Sequence, residues 1–253
     1  MKISLVQFAP EWEHKSENMK KLTTILKRKS DLGEILVFPE MTLTGFTMNA
    51  SAMAEDLNGE TVAFFSELAR GYRTNVFAGV IEREGKNHFN TLVHLNPSGK
   101  LKAKYRKIHP FSYSSENKFY KGGKLPTITA LSRMKIGLSI CYDLRFPELF
   151  RLYAKERVDL IINIANWPDT RIDHWRTLLK ARAIENQCYV AGVNRIGDDQ
   201  KLHYNGYSSV FDPMGKEIAA VENRETVVTA KIDAKYVKEI REKLPFLKDM
   251  RLV

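Results

Sequence analysis

The sequence contains little cysteine: Cys141 and Cys188 are the only two in 253 residues. Two cysteines can form at most one disulfide, which excludes a scaffold held together by several disulfides. The chain also has no run of about 18 apolar residues, the length that a transmembrane helix needs, and its N-terminal apolar stretch is too short for a signal peptide. We therefore expect a cytoplasmic protein with two free thiols and no membrane partner.

Motifs of several enzyme classes are missing as well. The six histidines form no His-x-x-x-His pair and no Cys-x-x-Cys occurs, so the usual ligand spacing of a metal site is absent. The sequence also lacks the Gly-x-Ser-x-Gly elbow of serine hydrolases and a phosphate-binding glycine loop. We therefore expect neither a metal nor a cofactor.

The charge is strongly unbalanced: 40 basic and 30 acidic residues give a formal net charge of +10. Such an excess raises the question of a nucleic-acid partner. The basic residues are scattered, however, and no helix-turn-helix, zinc-finger or RNA-binding signature organises them. We expect no nucleic-acid binding, and we interpret the charge as a solvated surface that weakly attracts an anionic substrate.

Short apolar runs that suit buried strands alternate with helical patterns along the whole chain. The predicted strands are Ile3 to Phe8, Glu34 to Phe38, Asn75 to Glu82, Phe89 to Leu95, Leu101 to Lys107, Met134 to Ile140, Leu160 to Ile164, Tyr189 to Val193, Ser208 to Phe211, Glu217 to Val221 and Val227 to Ile232. The predicted helices are Ser16 to Lys29, Glu60 to Tyr72, a segment after Pro147, His174 to Gln187 and Lys235 to Lys243. This alternation predicts an α/β fold, and two hairpins predict mixed sheets. No linker interrupts the pattern, so we expect a single domain, 1–253.

Three segments each place a reactive side chain just beyond a predicted buried strand, where α/β sheets usually carry their ligand sites. Glu40 ends Val-Phe-Pro-Glu, Lys107 lies in Lys-Tyr-Arg-Lys-Ile-His, and Cys141 opens Cys-Tyr-Asp-Leu-Arg-Phe-Pro. In order, context and spacing, these segments resemble the Glu, Lys and Cys motifs of the nitrilase superfamily. The resemblance continues through Asn166-Trp167-Pro168, and it is strongest to the omega-amidase group.

The resemblance implies a four-layer αββα sandwich with the active site at one end of two stacked sheets. It implies that Glu40, Lys107 and Cys141 are the catalytic residues of an amidase that forms a thioester on the cysteine. A second glutamate often lies beside the nucleophile in this family, and Glu116 is our candidate for it. Family members usually form dimers through helices beside the active site, so we expect a homodimer to which the predicted helix from His174 to Gln187 contributes.

The chemistry of these residues can be followed independently. A free thiol has a pKa of about 8.5, so a catalytic cysteine needs a nearby base or cation. Glu40 can take the thiol proton of Cys141 and later deliver it to the leaving nitrogen. Attack on an amide carbon places negative charge on the carbonyl oxygen, which the Lys107 cation and the backbone N–H of Tyr142 can stabilise.

Taken singly, each of these residues has an ordinary interpretation. Glu40 after a proline could be an acid at a helix N-terminus, Lys107 a surface lysine, and Cys141 a small core residue. Only their joint occurrence in order favours the catalytic interpretation. Cys188 opens an apolar strand with no adjacent base, and we expect it to be buried and structural.

Four further residues are candidates for binding substrate. Arg145 could hold a substrate carboxylate through its guanidinium, or it could pair with Glu148 to fix the loop. Asn166 and Trp167 follow a predicted strand and could line the pocket, although a tryptophan at a strand end is often packing alone. His174 could contact substrate or simply begin its helix.

The acyl group of the substrate is less determined than the chemistry. The resemblance favours omega-amides of 2-oxo dicarboxylates, such as 2-oxoglutaramate or 2-oxosuccinamate, and the positive net charge suits such an anionic substrate. A nitrile hydrolase, a carbamoyl-amine hydrolase, an acyl transferase or a catalytically silent binding module of the same fold are the alternatives. The polar, glycine-ended stretch from Phe111 to Gly123 is a candidate lid over the pocket.

Overall fold

A computed structural model describes residues 1–29 and 31–252 of the chain. The strands are β1 (Lys2–Gln7), β2 (Ile35–Val37), β3 (Asn75–Glu84), β4 (Asn87–Leu95), β5 (Leu101–Arg106), β6 (Ile128–Leu131), β7 (Met134–Ile140), β8 (Leu160–Ala165), β9 (Tyr189–Asn194), β10 (Ile196–Asp198), β11 (His203–Phe211), β12 (Glu217–Glu222) and β13 (Thr226–Lys231). The α-helices are α1 (Lys15–Lys27), α2 (Ala50–Met53), α3 (Glu60–Tyr72), α4 (Glu116–Phe119), α5 (Pro147–Lys155), α6 (Ile172–Asn186) and α7 (Ala234–Lys243). Short 3-10 helices cover Ser112–Ser114, Cys141–Arg145, Asp169–Arg171 and Phe246–Asp249.

The strands form two mixed sheets of similar design. The first sheet has the order β13-β1-β2-β3-β4-β5, with β1, β2 and β3 parallel and the remaining neighbours antiparallel. The second sheet has the order β10-β11-β9-β8-β7-β6, with β12 paired to β11 and with β7, β8 and β9 parallel. The predicted mixed α/β architecture is therefore confirmed.

The two sheets pack face to face. Leu5, Val37 and Phe77 of the first sheet share one buried cluster with Leu138 and Ile162 of the second. Apolar burial of this kind is the main favourable term in folding, because it removes hydrocarbon surface from water. The cluster therefore fixes the relative position of the two sheets, and with them the strand ends that carry the predicted site.

Helices cover the outer faces of both sheets. The apolar face of α1, with Leu22, Ile25 and Leu26 at helical spacing, joins residues of α3 against the outer face of the first sheet. Helices α5 and α6 pack on the second sheet through Phe150 and Leu179. The order helix, sheet, sheet, helix is the predicted four-layer αββα sandwich.

Most predicted boundaries agree with the structure to within a few residues, and two differences bear on the site. Helix α6 begins at Ile172 rather than at His174, because the 3-10 turn Asp169–Arg171 leads directly into it. It ends at Asn186, because Gln187 adopts a left-handed conformation with φ 47°. His174 therefore lies inside the first turn of α6, not at its start.

All these elements belong to one pair of sheets with their covering helices. The single domain, 1–253, stays a prediction, and Ser30 and Val253 lie outside the described residues. None of the helices in the described part of the chain has the length and apolarity to cross a membrane.

Candidate active site

Glu40 lies three residues beyond the end of β2, and its side chain is buried between the two sheets. One carboxylate oxygen, Oε1, accepts hydrogen bonds from Lys107 Nζ at 2.8 Å and from Asn90 Nδ2 at 2.7 Å. The other, Oε2, accepts from the backbone N–H of Asn166 at 2.9 Å and from Asn166 Nδ2 at 3.4 Å. Glu40 is therefore held by groups from both sheets, with each oxygen directed toward a different partner.

Lys107 is the residue that follows β5, and its side chain is also buried. The ammonium Nζ donates to Glu40 Oε1 and to Glu116 Oε2, both at 2.8 Å, and lies 5.3 Å from the ring centre of Phe46. Burial alone would lower the pKa of Lys107, but the carboxylates of Glu116 and Glu40 outweigh it and hold that pKa well above its usual value. Lys107 is therefore a fixed, permanently charged cation.

Glu116 begins the short helix α4 and is fully buried. Besides Lys107, its carboxylate accepts hydrogen bonds from Asn90 Nδ2 at 2.8 Å and from the backbone N–H of Phe111 at 2.6 Å. Burial raises the pKa of Glu116, and the nearby negative charge of Glu40 raises it further. Glu116 and Glu40 thus both accept from the Lys107 ammonium, and the role of Glu116 as the second glutamate of the family stays a prediction.

Cys141 is the first residue after β7 and lies in a strained backbone conformation, with φ 45°. Its backbone N–H donates to Asn163 Oδ1 at 3.1 Å, and its Sγ lies 3.8 Å from the carbonyl oxygen of Asn166. Burial raises the pKa of the Cys141 thiol well above its usual value, and Glu40 reinforces this effect although Lys107 opposes it. The resting side chain is therefore a thiol, which needs a base before it can act as a nucleophile.

Tyr142 is the second residue of the 3-10 helix Cys141–Arg145. The first N–H groups of a helix have no acceptor within the helix itself, so they can donate to other groups. The Tyr142 ring packs against Phe111 and Phe146, with ring centres 4.8 and 5.1 Å apart. These contacts fix the turn that carries the predicted second oxyanion donor.

An open cavity of about 440 Å³ adjoins the thiol. Of the predicted residues, it is lined by Cys141, Tyr142, Arg145, Asn166 and Trp167. Its remaining lining comes from segments near residues 12–13, 46–49, 111–114, 168–171 and 199–204. A cavity of this size accommodates a small amide with room to spare.

Arg145 contacts neither Glu148 nor another acid among the described residues. Its guanidinium lies over the ring of Trp167 at 4.7 Å, and both terminal nitrogens lie 3.3 Å from His174 Nδ1. The predicted loop-holding pair with Glu148 is therefore not formed. His174 does not line the cavity, but its ring contacts Arg145, which does.

Asn166 and Trp167 both line the cavity, and both are held by other parts of the chain. Asn166 Nδ2 donates to the backbone oxygen of Glu40 at 2.8 Å, whereas its Oδ1 is buried with no partner among the described residues. The Trp167 indole donates to the backbone oxygen of Arg171 at 2.8 Å, and its ring packs 5.5 Å from Trp175. Trp167 thus combines both interpretations, as pocket wall and as packing residue.

The predicted lid segment from Phe111 to Gly123 is not a featureless loop. It contains the 3-10 helix Ser112–Ser114 and α4, and the buried side chain of Glu116 ties it to Lys107. Phe111 and Ser114 line the cavity. The segment therefore covers one side of the cavity, and its movement as a lid stays a prediction.

Three buried polar residues at the site were not predicted. Asn90 in β4 donates to both Glu40 and Glu116, and Asn163 in β8 accepts from the N–H of Cys141. Asp143 accepts hydrogen bonds from Tyr105, Ile140 and His109 and so joins the lysine and cysteine segments. A polar residue within an otherwise apolar strand, as Asn163 is in Ile-Ile-Asn-Ile, is the signal that could have identified the asparagines.

The second cysteine, Cys188, is buried as predicted, and burial raises the pKa of its thiol to about 12. Within residues 1–29 and 31–252, no cluster of three His, Cys, Asp or Glu side chains is arranged to hold a metal ion.

Comparisons with known proteins point in one direction. The sequence model of the carbon-nitrogen hydrolase family matches residues 2–242. The chain is 33% identical to the 2-oxoglutaramate amidase of Bacillus subtilis, over 98% of this chain and 97% of that protein. It is 34% identical to the omega-amidase YafV of Escherichia coli K12, over 98% and 96% of the two chains. A solved CN-hydrolase superfamily protein of Xanthomonas campestris, with an arsenic adduct in its active site, superposes with a TM-score of 0.95 at 35% identity, over 100% of this chain and 98% of the other.

Proposed function

The chain belongs to the carbon-nitrogen hydrolase family, within the nitrilase superfamily as its resemblance implied, and from that premise we propose that it is an omega-amidase. Its substrate is 2-oxoglutaramate or 2-oxosuccinamate, which it converts to the 2-oxo dicarboxylate and ammonia. The observation that carries the proposal is the position of Lys107: its ammonium bridges Glu40 and Glu116 beside the cavity that Cys141 lines. The names of the relatives support the substrate.

In the first half of the reaction, Glu40 takes the thiol proton as Cys141 Sγ forms a bond to the amide carbon. The carbonyl oxygen becomes an oxyanion, which Lys107 and the backbone N–H of Tyr142 stabilise. Glu40 then passes the proton to the amide nitrogen, the carbon–nitrogen bond breaks, and ammonia leaves. A thioester on Cys141 remains.

In the second half, Glu40 removes a proton from water while the water oxygen attacks the thioester carbon. The carbon–sulfur bond breaks, the proton returns to the sulfur, and the carboxylic acid ionises as it leaves. One water molecule is consumed and one ammonia is released in each cycle. Glu116 acts through Lys107: it holds the ammonium in place and balances its charge during both steps.

The remaining predictions stay part of the proposal. Arg145 holds the distal carboxylate of an anionic substrate, with Trp167 and His174 orienting its guanidinium. A homodimer would use α6 together with the exposed apolar side chains of Leu152, Ile184 and Met214. The cytoplasmic location and the absence of a cofactor likewise stay predictions.

The direct test is ammonia release from a panel of 2-oxoglutaramate, 2-oxosuccinamate, glutamine, asparagine, aliphatic amides, nitriles and carbamoyl amines. Release from the oxo-acid amides that falls by at least ~10³-fold in Cys141→Ala supports the proposal. Cys188→Ala is the matched control and keeps its activity, because this thiol is buried away from the cavity.

Other outcomes of the panel separate the alternatives. Activity confined to nitriles or carbamoyl amines would retain the nucleophile and overturn the substrate. No release from any compound would favour an amide outside the panel or a silent module of the same fold. Activity that persists in Cys141→Ala would overturn the nucleophile itself.

A further inference from the structure

Two arginines line the cavity beside Cys141 without a carboxylate partner. Arg145 ends the 3-10 helix that Cys141 begins, and Arg171 ends the 3-10 turn just before α6. Neither takes part in any ion pair among the described residues. Arginines with fixed positions and unmatched charge are suited to bind an anion, because the planar guanidinium offers paired donors.

Trp167 contacts the guanidinium of Arg145 and the backbone of Arg171. The Arg145 guanidinium stacks 4.7 Å above the Trp167 ring, and the Trp167 indole N–H donates to the backbone oxygen of Arg171 at 2.8 Å. The remaining contact of the Arg145 head is with His174 Nδ1, which accepts only as a neutral imidazole. These contacts orient the Arg145 guanidinium and leave its charge uncompensated.

Arg145 and Arg171 line the same cavity, so their positive charges act on one another. Partial burial lowers the pKa of Arg145, and the positive charge of Arg171 lowers it further. Two like charges beside one cavity are unfavourable unless an anion joins them. The cavity is therefore better suited to bind a negatively charged molecule than a neutral one.

The acidic residues that line the same cavity already have hydrogen-bond donors. Asp199 accepts from the hydroxyl of Tyr204 at 2.6 Å and from the backbone N–H of Lys201 at 2.8 Å. Glu13 accepts from the side chains of Thr47 and Asn49. Neither carboxylate forms an ion pair with Arg145 or Arg171 among the described residues.

We infer that Arg145 and Arg171 together form a carboxylate-binding subsite, and that Arg171 is a specificity-determining residue for an amide with a carboxylate at its far end. The inference rests on the proposed amidase function and adds a second arginine to the part of the site that binds the distal carboxylate. The amide end reacts at Cys141, while the distal carboxylate lies between the two guanidinium groups. Amides that lack this carboxylate leave both charges unmatched and bind weakly.

The test uses two amides of equal length, glutaramate and pentanamide, which differ by the terminal carboxylate. Arg171→Gln is expected to lower kcat/KM for glutaramate by about 10- to 100-fold, mainly through KM, because a charge-assisted hydrogen bond is lost. Its kcat/KM for pentanamide stays within about twofold of the wild type, since the lost contact involves no part of that molecule. Arg176→Gln, a partly exposed arginine of α6 that pairs with Glu217 outside the cavity, is the matched control and changes neither value.

Two kinetic results would overturn the inference. An equal loss for both amides in Arg171→Gln would assign that residue a structural role. Equal efficiency of the wild type toward both amides would refute the carboxylate subsite while leaving the amidase function intact.

A binding measurement keeps the inference testable if the wild type hydrolyses neither amide, since both amides lack the 2-oxo group of the proposed substrates. Calorimetry of glutarate with Cys141→Ala should then give a Kd about 10-fold weaker when Arg171→Gln is added, and no change when Arg176→Gln is added. Equal Kd values in all three proteins would overturn the subsite.

Discussion

Asp143 and His109 are joined by two hydrogen bonds: one Asp143 oxygen accepts from the backbone N–H of His109 at 3.0 Å and contacts its ring Nδ1 at 2.8 Å. The other oxygen accepts from Tyr105 and from the N–H of Ile140. His109 and Tyr105 flank Lys107 in the chain, and Ile140 precedes Cys141. One buried carboxylate therefore sets the position of the cysteine segment relative to the lysine segment.

Asp143→Asn should lower kcat by about 10- to 100-fold with little change in KM, because an amide cannot accept from all of these donors. The free energy of unfolding should fall by about 2 kcal/mol for the same reason. Steady-state kinetics and urea denaturation measure the two effects, with the exposed Asp173→Asn as control. A change in KM alone would assign Asp143 to substrate binding instead.

Asn90 donates to Glu40 at 2.7 Å and to Glu116 at 2.8 Å. Burial and the charge of Glu40 raise the pKa of Glu116, whereas the hydrogen bond from Asn90 lowers it. In Asn90→Ala the pKa of Glu116 should therefore rise, and protonation should remove the partner of Lys107 at a higher pH. We expect the acid limb of the kcat/KM profile to move to higher pH. Asn87→Ala, at the start of the same strand, should leave the profile unchanged; an unshifted profile in Asn90→Ala would refute the role.

The Cys141 thiol should become more reactive toward iodoacetamide when Glu40 is replaced by glutamine. Burial raises the pKa of Cys141 and Glu40 raises it further, so removing that charge lowers the pKa and increases the thiolate fraction near neutral pH. Amide hydrolysis should be lost in the same variant, because its base is gone. Mass spectrometry in a Cys188→Ser background follows the alkylation, and slower alkylation of Glu40→Gln than of the parent would contradict this electrostatic account.

Gly79 in β3 leaves space for the segment that carries Glu40. A Cβ at this position would lie 2.5 Å from the backbone nitrogen of Met41 and 2.7 Å from Glu40 Cα. Gly79→Ala should displace Glu40, reduce kcat and destabilise the protein by about 1–3 kcal/mol. Gly71→Ala in α3, where no atom lies within 4 Å of the new Cβ, should stabilise by about 0.5–1 kcal/mol and leave activity unchanged. Equal behaviour of the two variants in thermal unfolding and assay would disprove the steric argument.

His94 should make stability decrease in mild acid. Its ring bridges Thr129 and Asn75 and stacks on Phe77, and burial, with a smaller effect of Lys102, lowers its pKa to about 4. The pKa of His94 is lower in the folded protein than the value of about 6.5 in the unfolded chain. The contribution of the neutral His94 ring to stability is therefore complete above about pH 6.5 and is lost as the pH falls toward about 4.

Between about pH 7 and about pH 5, His94 should account for a loss of about 2 kcal/mol in the free energy of unfolding. Urea denaturation at both pH values should show a smaller loss in His94→Gln. The same loss in His94→Gln as in the wild type, or an equal reduction in the exposed His203→Gln, would contradict the assignment.

The sequence was most informative where the physical signal is local. Runs such as Met134 to Ile140 and Glu60 to Tyr72 were predicted with the observed bounds, because burial and amphipathic periodicity are visible in the residues themselves. The strands β6 and β10 were missed, since they are short, lie at sheet edges and owe their conformation to a partner strand. Helix α4 was missed for a similar reason: its position depends on the buried Glu116.

The site shows the same division. Glu40, Lys107 and Cys141 were predicted through motifs that resemble a known family. Asn90 was not predicted, because its significance lies in contacts with Glu40 and Glu116, which are distant in the sequence. Arg171 was not predicted either, because it lies outside the motifs that the sequence offered. For Arg145 the sequence offered two partners, and the structure shows a third arrangement, with Trp167 and His174.

The pairing of β1 with β13 has a consequence for how the protein matures during its synthesis. Residues 2–7 pair with residues 226–231, so one edge of the first sheet stays open until almost the whole chain has left the ribosome. The core between the sheets, including the side chains that hold Glu40 and Lys107, is therefore completed late. Nascent chains that end before residue 231 should be inactive however long they remain on the ribosome. Activity should appear in one step as β13 docks against β1.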